Sequence, residues 1–265
     1  MNPNTSNVAT PTVKSGAEQW TEQPLRHTRE WAPGLISFTV ERAPDFIFSP
    51  GQFARLTLGK GEEAVSRAYS IASAPREPVL EFLAVLIPDG AFSKHLAQLQ
   101  PGNTLRVSRT SYGFFTADNF TDGRDLWLLA TGTGLAPFIS MLRDGAILRR
   151  FEHVVLVHSV KLARSLAYRN EIADLVDKVS PNHLRYVPIT SQETVPGLLH
   201  GRITRHIMDG QLEATARLVI DEHHSRLMIC GNPQMCAELR HHLPERGLRI
   251  NRTKRPGQLI FENYW

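Results

Sequence analysis

Short stretches in which apolar and polar residues alternate dominate the first half of the chain. Residues 34–40, 53–58 and 80–85 show this alternation, and Pro, Gly and Asp residues separate them. Alternation with a period of two is typical of strands with one buried face. Residues 92–99 have instead the apolar spacing of a helix. The pattern therefore predicts an antiparallel β-barrel domain over residues 20–120, capped by one helix.

The pattern changes after residue 120. Residues 125–130 and 153–159 are nearly continuous apolar runs, which are typical of strands buried on both faces. Segments with helical spacing alternate with such runs at 137–149, 166–177, 202–209 and 233–242. This alternation predicts a Rossmann-like α/β domain with a parallel sheet over residues 121–265. Residues 1–19, which are polar and lack periodicity, are expected to form a disordered or extended leader.

Composition and charge limit the classes of protein that fit. The 265 residues are 42% hydrophobic and 21% charged, which is ordinary for a globular protein with two domains. The formal net charge of +4 suits an acidic protein partner as well as nucleic acid, so charge alone does not choose between them. No apolar run approaches the ~20 residues of a membrane span. The two cysteines, Cys230 and Cys236, are expected to be reduced in a cytoplasmic protein.

The sequence Arg67-Ala68-Tyr69-Ser70 lies in a predicted strand and combines three useful side chains. A cation, an aromatic ring and a hydroxyl group suit a ligand that is anionic at one end and flat at the other, as a flavin nucleotide is. Arg67 and Tyr69 point to one face of a strand and Ser70 to the other, so a bend is needed for all three to reach one ligand. An ordinary barrel strand, with a core Tyr and a surface Arg, is the alternative.

Two segments are typical of anion sites at the start of helices. Residues 130–137, Ala-Thr-Gly-Thr-Gly-Leu-Ala-Pro, follow a buried strand and open a helix. Glycine lets the backbone approach a phosphate closely, and a helix N-terminus offers unpaired N–H groups. The amides of Ala91, Phe92 and Ser93 have the same position in the barrel helix. The spacing Gly-x-Gly-x-x-Pro departs from the NAD fingerprint, so a plain strand-to-helix turn is the alternative for residues 130–137.

Four motifs, taken in order, resemble those of the bacterial ferredoxin(flavodoxin)–NADP(+) reductase family. They are Arg-Ala-Tyr-Ser at 67–70, the glycine-rich segment at 130–137, Cys-Gly-Asn-Pro-Gln-Met at 230–235 and the terminal Phe-Glu-Asn-Tyr-Trp at 261–265. The resemblance implies an FAD-dependent enzyme that transfers electrons reversibly between NADPH and a one-electron carrier, ferredoxin or flavodoxin. We expect a monomer without a nucleic-acid or membrane partner.

The resemblance also implies which residues bind FAD. Tyr69 covers one face of the flavin, Ser70 forms a hydrogen bond near its N5 atom, and Trp265 stacks on the adenine, which favours FAD over FMN. The implied set is Arg67, Ala68, Tyr69, Ser70, Leu83, Ala84, Val85, Leu86, Ala91, Phe92, Ser93, Thr133, Tyr264 and Trp265. A hydrophobic plug between the domains is the alternative for the two terminal aromatic residues.

A site for NADP(H) and a set of catalytic residues follow from the same resemblance. The implied nucleotide residues are Thr133, Gly134, Lys161, Gln192, Arg202 and Cys230, and the implied catalytic residues are Ser70, Cys230 and Glu262. Lys161 and Gln192 stand where the bacterial relatives usually have Arg, whereas Arg202 is retained. Loss of two guanidinium groups is expected to weaken the preference for NADPH by ~1–3 kcal/mol, the scale of a charged hydrogen bond.

Two other functions are alternatives. An NADH-dependent flavin reductase component of an oxygenase system shares both domains, and Gln192 is the feature that favours it. A non-catalytic flavin-binding regulator would show no flavin reduction by either nicotinamide. No metal site is predicted, because His223–His224 and His241–His242 lack a further Cys or carboxylate at a suitable spacing. The basic run at 240–255 is expected to be a solvated face or to steer an acidic carrier.

Overall fold

The computed structural model of the chain describes residues 20–263 and contains two six-stranded sheets. The first consists of β1 (Trp20–Ala32), β2 (Leu35–Glu41), β3 (Phe53–Leu58), β4 (Val65–Ser70), β5 (Val79–Val85) and β6 (Thr104–Ser108). Its neighbours are all antiparallel, in the order β4-β3-β6-β1-β2-β5. A bridge between Ile71 and Phe82 joins the two ends of this order. The sheet therefore nearly closes into the predicted barrel.

The barrel has a core because alternate residues of its strands point inward. Phe38 on β2, Leu56 on β3 and Phe82 on β5 are fully buried. The helix α1 (Ala91–Gln98) closes one end and buries Phe92 against this core. Burial of each such side chain contributes ~2 kcal/mol. The predicted cap helix is confirmed to within one residue at each end.

The second sheet is parallel throughout. It consists of β7 (Asp125–Thr131), β8 (His153–Val160), β9 (Leu184–Thr190), β10 (Leu199–His200), β11 (Ser225–Gly231) and β12 (Leu259–Asn263). Successive residues of β7 enter different cores, since Leu128 packs on one side of the sheet and Trp127 on the other. Burial on both faces explains the continuous apolar runs of the sequence.

Helices on both faces of this sheet match the expected alternation. They are α2 (Ala136–Asp144), α3 (Ala146–Arg150), α4 (Arg169–Val179), α5 (Ile203–Met208), α6 (Gln211–Ala216) and α7 (Pro233–His242). The single helix expected at 137–149 is two helices, because Gly145 adopts a left-handed conformation between them. Within residues 20–263, no helix has the length and apolar character needed to cross a membrane. The leader expected at 1–19 lies outside the described residues.

The strand order of the parallel sheet, β10-β9-β8-β7-β11-β12, contains one reversal. The chain runs outward from β7 to β10 and then returns to β11 on the other side of β7. In open α/β sheets, ligands bind beyond the carboxyl ends of the strands at such a switch point. The loops that follow β7 and β11 carry the motifs at 130–137 and 230–235, so both motifs meet there.

Glu81 on β5 links the barrel to the helices of the parallel sheet. Its carboxylate accepts hydrogen bonds from Arg143 Nη1 of α2 (2.6 Å) and from the Tyr168 hydroxyl (2.8 Å). Burial and the neighbouring Glu81 carboxylate raise the pKa of Tyr168 well above its ordinary value, so this hydroxyl stays protonated and can donate. Ser140 of α2 also donates to the Ser73 carbonyl at 2.7 Å. These contacts fix how the barrel faces the parallel sheet.

Candidate active site between the two sheets

A cavity of about 570 Å³, called here the barrel cavity, opens between the barrel and the parallel sheet. Strands β4 and β5, the start of α1 and the end of β12 form its walls. The lining residues are Phe53, Arg67, Ala68, Tyr69, Ser70, Leu83, Ala84, Val85, Ile87, Gly90, Ala91, Phe92, Ser93, Thr133, Glu262 and Asn263. Every predicted flavin residue in the described part of the chain lies on this wall except Leu86. Tyr264 and Trp265 lie outside the described residues.

The structure brings Arg67, Tyr69 and Ser70 to this one cavity, although strand alternation separates them. The pairing of β3 with β4 ends where Ser70 lies opposite Phe53, and the chain leaves the strand there. The Tyr69 ring packs against Phe92, with 5.2 Å between ring centroids. Burial raises the pKa of Tyr69 to about 12, against the lowering effect of Arg67, so the phenol is neutral. The strand end therefore lets all three side chains meet one ligand.

The first turn of α1 offers backbone N–H groups to the barrel cavity. Gly90 precedes the helix without a side-chain cap, and no acidic residue stands in the first turn. A Cβ atom at Gly90 would lie 3.1 Å from the Ile87 carbonyl oxygen and 3.2 Å from Ser93 Oγ, so a side chain would crowd this turn. Free N–H groups and the positive end of the helix dipole favour an anion. Arg67 adds a full positive charge to the same wall.

Ser70 and Glu262 form a polar pair on the wall of the barrel cavity. Ser70 Oγ donates to Glu262 Oε2 at 3.3 Å. Burial raises the pKa of Glu262 to about 7, and the hydrogen bond from Ser70 opposes this rise. A carboxyl group with such a pKa can hold or release a proton at neutral pH. The barrel cavity therefore contains a hydroxyl group hydrogen-bonded to a carboxyl group that titrates near neutral pH.

A second cavity of about 550 Å³, called here the sheet cavity, lies at the carboxyl edge of the parallel strands. Its lining residues are Pro33, Gly34, Leu35, Val85, Thr131, Gly132, Thr133, Ser159, Val160, Lys161, Ser165, Ser191, Gln192, Arg202, Ile203, Thr204, Gly231, Asn232, Gln234, Met235 and Glu238. Val85 and Thr133 also line the barrel cavity, so the two cavities meet at these residues.

The two loops at the switch point are held together by close contacts. Thr131 Oγ1 accepts a hydrogen bond from the Asn232 N–H at 2.7 Å. A Cβ atom at Gly134 would lie 2.4 Å from the Cys230 carbonyl oxygen, so glycine is needed for α2 to begin this close to β11. A Cβ atom at Gly132 would meet open space, and this residue has a positive φ of 54°. The loop therefore leaves room for a ligand above Gly132.

His158 supports the same loop from inside the sheet. Its Nε2 atom lies 3.1 Å from the Gly132 carbonyl oxygen. Burial lowers the pKa of His158 to about 4, although the hydrogen bond to Gly132 opposes this shift. The imidazole is therefore neutral, and the carbonyl contact places its proton on Nε2. No sequence pattern marks His158 as functional, because it stands within an apolar run.

Lys161, Gln192 and Arg202, which were predicted to belong to a single site, all line the sheet cavity. The Gln192 N–H donates to the Lys161 carbonyl at 3.0 Å, which joins the loops after β8 and β9. Glu238 of α7, which was not predicted, also lines this cavity. Its Oε1 atom lies 4.0 Å from Arg202 Nη1 and accepts a hydrogen bond from Gln234. This carboxylate partly neutralises the only guanidinium group on the described wall of this cavity.

Of the predicted residues within 20–263, three line neither cavity. The side chain of Cys230 is fully buried beneath the loops, and Gly134 and Leu86 are also absent from the walls. Phe53 and Asn263, which do line the barrel cavity, were not predicted. Phe53 stands in an ordinary strand pattern, and Asn263 belongs to the terminal motif at 261–265 without an implied role. The two residues meet only in the folded chain.

The histidine pair at the end of α7 has a carboxylate neighbour. His241 and His242 were expected to lack a carboxylate partner, but Glu245 Oε2 lies 3.6 Å from His242 Nδ1. Ligand atoms of these three side chains lie within 4.8 Å of one another, which is close enough for a metal ion. Glu245 lies three residues after His242, in a short 3-10 helix (Leu243–Arg246) that continues from α7 and brings the carboxylate to the same side as the histidine. These two histidines and Glu245 line neither the barrel cavity nor the sheet cavity.

Comparison with protein families gives two matches. Residues 34–116 match the oxidoreductase FAD-binding domain, and residues 128–241 match the oxidoreductase NAD-binding domain. The first match contains most of the barrel cavity residues. The second contains the loops of the sheet cavity.

Individual proteins agree along nearly the whole chain. A flavodoxin/ferredoxin–NADP reductase of Shigella flexneri is 39% identical over 93% of this chain and 99% of its own length. A ferredoxin–NADP reductase of Pseudomonas aeruginosa is 36% identical over 92% of this chain and 96% of its own length. The crystal structure of a ferredoxin NADP+ reductase from Neisseria gonorrhoeae, with bound FAD and NADP, superposes with a TM-score of 0.88 at 35% identity, covering 92% of this chain and 98% of that one.

The fold, the paired cavities and these matches define a class of protein, the FAD-dependent oxidoreductases that use a nicotinamide nucleotide. Within this class, the chain belongs to the bacterial ferredoxin(flavodoxin)–NADP(+) reductase family. The predicted family, the predicted fold class and the predicted cofactors, FAD and NADP(H), are confirmed. The division at residue 120 and the roles of single site residues stay predictions.

Proposed function

We propose that the protein transfers electrons reversibly between NADPH and a one-electron carrier protein, a ferredoxin or a flavodoxin. The electrons would pass through FAD bound in the barrel cavity. The observation that carries this proposal is that the barrel cavity and the sheet cavity meet at Val85 and Thr133. A flavin in the first cavity and a nicotinamide in the second would meet at these residues. Hydride transfer requires reacting atoms at ~3–3.5 Å, so a shared wall suits it.

The chemistry of the barrel cavity fits FAD. Arg67 and the uncapped N–H groups of α1 suit a pyrophosphate, and the ring of Tyr69 suits the flat isoalloxazine. When bound, FAD supplies hydride acceptance and single-electron release, which no side chain here provides. Tyr264 and Trp265 are proposed to contact its adenine. The backbone of residues 83–86 is proposed to run along the flavin.

The sheet cavity is proposed to hold NADP(H). Thr133 would contact the nicotinamide end, and the open space above Gly132 leaves room for the nucleotide. Lys161 and Arg202 would bind the 2′-phosphate, and Gln192 would donate a hydrogen bond to it. Gly134 would act by allowing the N-terminus of α2 to lie close to the bound nucleotide. Cys230 would support the glycine-rich segment at 130–137 from beneath, since its carbonyl lies against Gly134.

Ser70 and Glu262 are proposed to act at the point where the hydride arrives. The Ser70 hydroxyl would orient the flavin edge through a hydrogen bond, because it is buried on the wall and already donates to Glu262. Glu262 would hold a proton beside it, since its pKa of about 7 permits both protonation states near neutral pH. Burial of both side chains limits the access of water to this point.

The absorption spectrum of the purified protein, taken before and after anaerobic addition of NADPH, tests the proposal. We expect a yellow protein whose visible flavin bands bleach with NADPH and return when an oxidised flavodoxin is added. A protein that stays colourless after incubation with FAD would contradict the proposal. A yellow protein that NADPH does not bleach would favour the non-catalytic regulator.

A second candidate is an NADH-dependent flavin reductase of an oxygenase system. Two observations favour it, the neutral amide of Gln192 and the carboxylate of Glu238 near Arg202. A carboxylate repels a 2′-phosphate and can accept a hydrogen bond from the ribose hydroxyl of NADH. Turnover with NADPH and NADH decides between the candidates, and equal rates would undermine the preference for NADPH.

Three finer statements belong to the same proposal. We place the domain boundary between residues 120 and 121, because the barrel strands end at Ser108 and the parallel strands begin at Asp125. We propose a monomer, because both cavities are lined by residues of one chain. We propose a cytoplasmic location, where the two cysteines of the chain are expected to stay reduced.

A further inference from the structure

Glu193 lies in the loop after β9, directly after Gln192, but it lines neither cavity. Its side chain is half-buried, and its Oε1 atom accepts a hydrogen bond from the Ala163 N–H at 2.7 Å. Ala163 begins a short 3-10 helix (Ala163–Ser165) in the loop after β8, just beyond Lys161. A hydrogen bond from a backbone N–H to a carboxylate is stronger than one to a neutral acceptor. The Glu193 side chain therefore joins its own loop to the loop that carries Lys161.

The backbone carbonyl of Glu193 is bonded to a third segment, the turn that precedes α5. It accepts a hydrogen bond from the Thr190 hydroxyl at 2.7 Å, and His200 Nδ1 lies 2.9 Å from it. Thr190 is fully buried at the end of β9, and its own carbonyl accepts a hydrogen bond from the Gly201 N–H at 2.9 Å. Arg202 follows Gly201 directly. The contacts of Glu193 therefore also reach the backbone that carries Arg202.

Backbone pairing between β8 and β9 continues a short way into the loops that follow them. The Ser191 N–H donates to the Val160 carbonyl at 2.9 Å, and the Gln192 N–H donates to the Lys161 carbonyl at 3.0 Å. Beyond Lys161 the chain enters the 3-10 helix, whose first residue is held by the Glu193 carboxylate. Lys161 is therefore fixed on both sides, by the pairing of its own carbonyl and by the contact with Glu193 that follows it.

A fixed backbone matters at this part of the sheet cavity because of the side chains found there. Lys161 has a flexible stem with one compact charge, and Gln192 has no charge. Neither has the rigid fork of a guanidinium group, so their contact with a phosphate depends on where the loops hold their backbones. Loops that are already in place need not be ordered when a ligand binds, which improves affinity. The proposed nicotinamide end lies at Thr133 in the loop after β7, which the hydrogen bonds of Glu193 do not reach.

We propose that Glu193 is a positioning residue that sets the preference for NADPH over NADH. It holds the loops of Lys161, Gln192 and Arg202 in the arrangement that receives the 2′-phosphate, without touching the nucleotide itself. The inference rests on the proposed function and adds a residue that acts on one end of the nucleotide alone. If the carboxylate acted through its charge, it would repel the phosphate. Removal of the carboxylate would then strengthen the binding of NADPH, whereas loss of a positioning residue weakens it.

Two variants of the FAD-loaded protein, Glu193→Ala and Glu193→Gln, test the proposal. Calorimetry gives the dissociation constants of NADP+ and NAD+, and steady-state reduction of ferricyanide gives kcat and KM for NADPH and NADH. For Glu193→Ala we expect about tenfold weaker binding of NADP+ and an equal rise in KM for NADPH, the effect of losing about one hydrogen bond to a charged group. Binding of NAD+, KM for NADH and kcat should stay at wild-type values, because they do not involve the 2′-phosphate.

Glu193→Gln removes the charge but keeps an oxygen atom at the same distance from the backbone. It should bind NADP+ like the wild type, because the amide oxygen can still accept a hydrogen bond from the Ala163 N–H. If Glu193→Ala does not fold, the shorter Glu193→Asp replaces it, with the same expected loss.

The matched control is Glu77→Ala. Glu77 Oε1 accepts a hydrogen bond from the Ala74 N–H at 2.7 Å, so the substitution removes the same kind of bond from another part of the chain. Glu77 lines neither the barrel cavity nor the sheet cavity. The control should therefore leave the binding of both nucleotides unchanged.

The outcomes separate the role of Glu193 from the proposed function. Unchanged binding of NADP+ by Glu193→Ala would overturn the role and leave the proposed function intact. Equal weakening of NADP+ and NAD+ would overturn it as well, since the loops would then support the whole nucleotide. Tighter binding of NADP+ by both Glu193→Ala and Glu193→Gln would show that the charge of Glu193 repels the phosphate instead. A wild-type protein that binds neither nucleotide and reduces ferricyanide with neither would overturn both proposals.

Discussion

Among single residues, several side chains of the barrel cavity and the sheet cavity have pKa values that are set by burial and by neighbouring groups. Glu262 is the clearest case, because burial raises its pKa from 4.5 to about 7. The folded protein therefore binds this proton more tightly than the unfolded chain does. The resulting contribution to stability is complete below about pH 4.5 and is lost as the pH rises through about 7.

The Glu262→Gln variant should remove this pH dependence. In the FAD-free protein, we expect the variant to gain on the order of 2 kcal/mol in free energy of unfolding relative to the wild type between pH 4.5 and pH 8. Urea unfolding at both pH values measures this, with the exposed Glu30→Gln as control. A difference between variant and wild type that does not change with pH would show that the carboxyl group has an ordinary pKa.

Gln192 is the residue at which nucleotide preference should respond most directly. Gln192→Arg places a guanidinium group beside Lys161 and Arg202, where it can bind a 2′-phosphate through two hydrogen bonds. We expect about tenfold tighter binding of NADPH and unchanged binding of NADH, as measured by titration of the FAD-loaded protein. The exposed Gln100→Arg is the control. A similar gain for both nucleotides would show that the new charge attracts any anion.

Sequence alone located the residues that belong to local motifs and missed those that belong only to the fold. Arg67, Tyr69 and Ser70 are adjacent in sequence, and the cavity wall gathers them as expected. Glu238 was missed because a carboxylate on a helix is ordinary, and only the folded chain places it 4.0 Å from Arg202. Burial, which sets the pKa of Glu262, is likewise a property of the fold.

At the scale of elements, close packing of α2 against β11 shapes the nucleotide site. Gly134→Ala should destabilise the protein by about 2 kcal/mol, because the new Cβ atom would lie 2.4 Å from the Cys230 carbonyl oxygen and force the helix away. Binding of NADPH should weaken in parallel. Thermal unfolding and nucleotide titration measure both effects.

Gly197→Ala is the matched control, because a Cβ atom there meets open space although φ is +81°. It should cost about 1 kcal/mol through backbone strain and leave nucleotide binding unchanged. Equal effects of the two substitutions would argue against the close contact at Gly134.

The type of each element could be predicted from sequence, but some element ends could not. Apolar runs identified β7 and β8 because both faces of these strands are buried. The break at Gly145 was missed because the apolar spacing continues through it, and glycine is tolerated in a helix as well as at its end. The start of α4 was placed too early, because the positive φ of Tyr168 has no signature in sequence.

In the whole molecule, the proposed hydride transfer depends on how the barrel faces the parallel sheet. Glu81→Ala removes the acceptor shared by Arg143 and Tyr168. We expect a loss of about 3 kcal/mol in stability, because a largely buried guanidinium group loses a partner. Reduction of bound flavin by NADPH should slow as well, since the two cavities would no longer be held in register. Chemical unfolding and stopped-flow absorbance measure the two effects.

The exposed Glu62→Ala is the control and should change neither quantity. A Glu81→Ala variant that is less stable but reduces flavin at the wild-type rate would show that the contact holds the fold without orienting the cavities. Sequence patterns could not predict this interface, because Glu81 and Arg143 are distant in the chain. Only the order of the motifs indicated that both halves serve one site.

In the proposed function, a flavin in the barrel cavity receives hydride directly from a nicotinamide at Val85 and Thr133. Single-turnover reduction by NADPH carrying deuterium at either of the two C4 positions tests it most directly. We predict that one diastereomer slows flavin bleaching by a primary isotope effect and that the other does not. The reason is that a nicotinamide held at the shared wall turns only one of its faces, and so only one C4 hydrogen, towards the flavin. Equal rates with both diastereomers, in a step that is limited by chemistry, would contradict the claim.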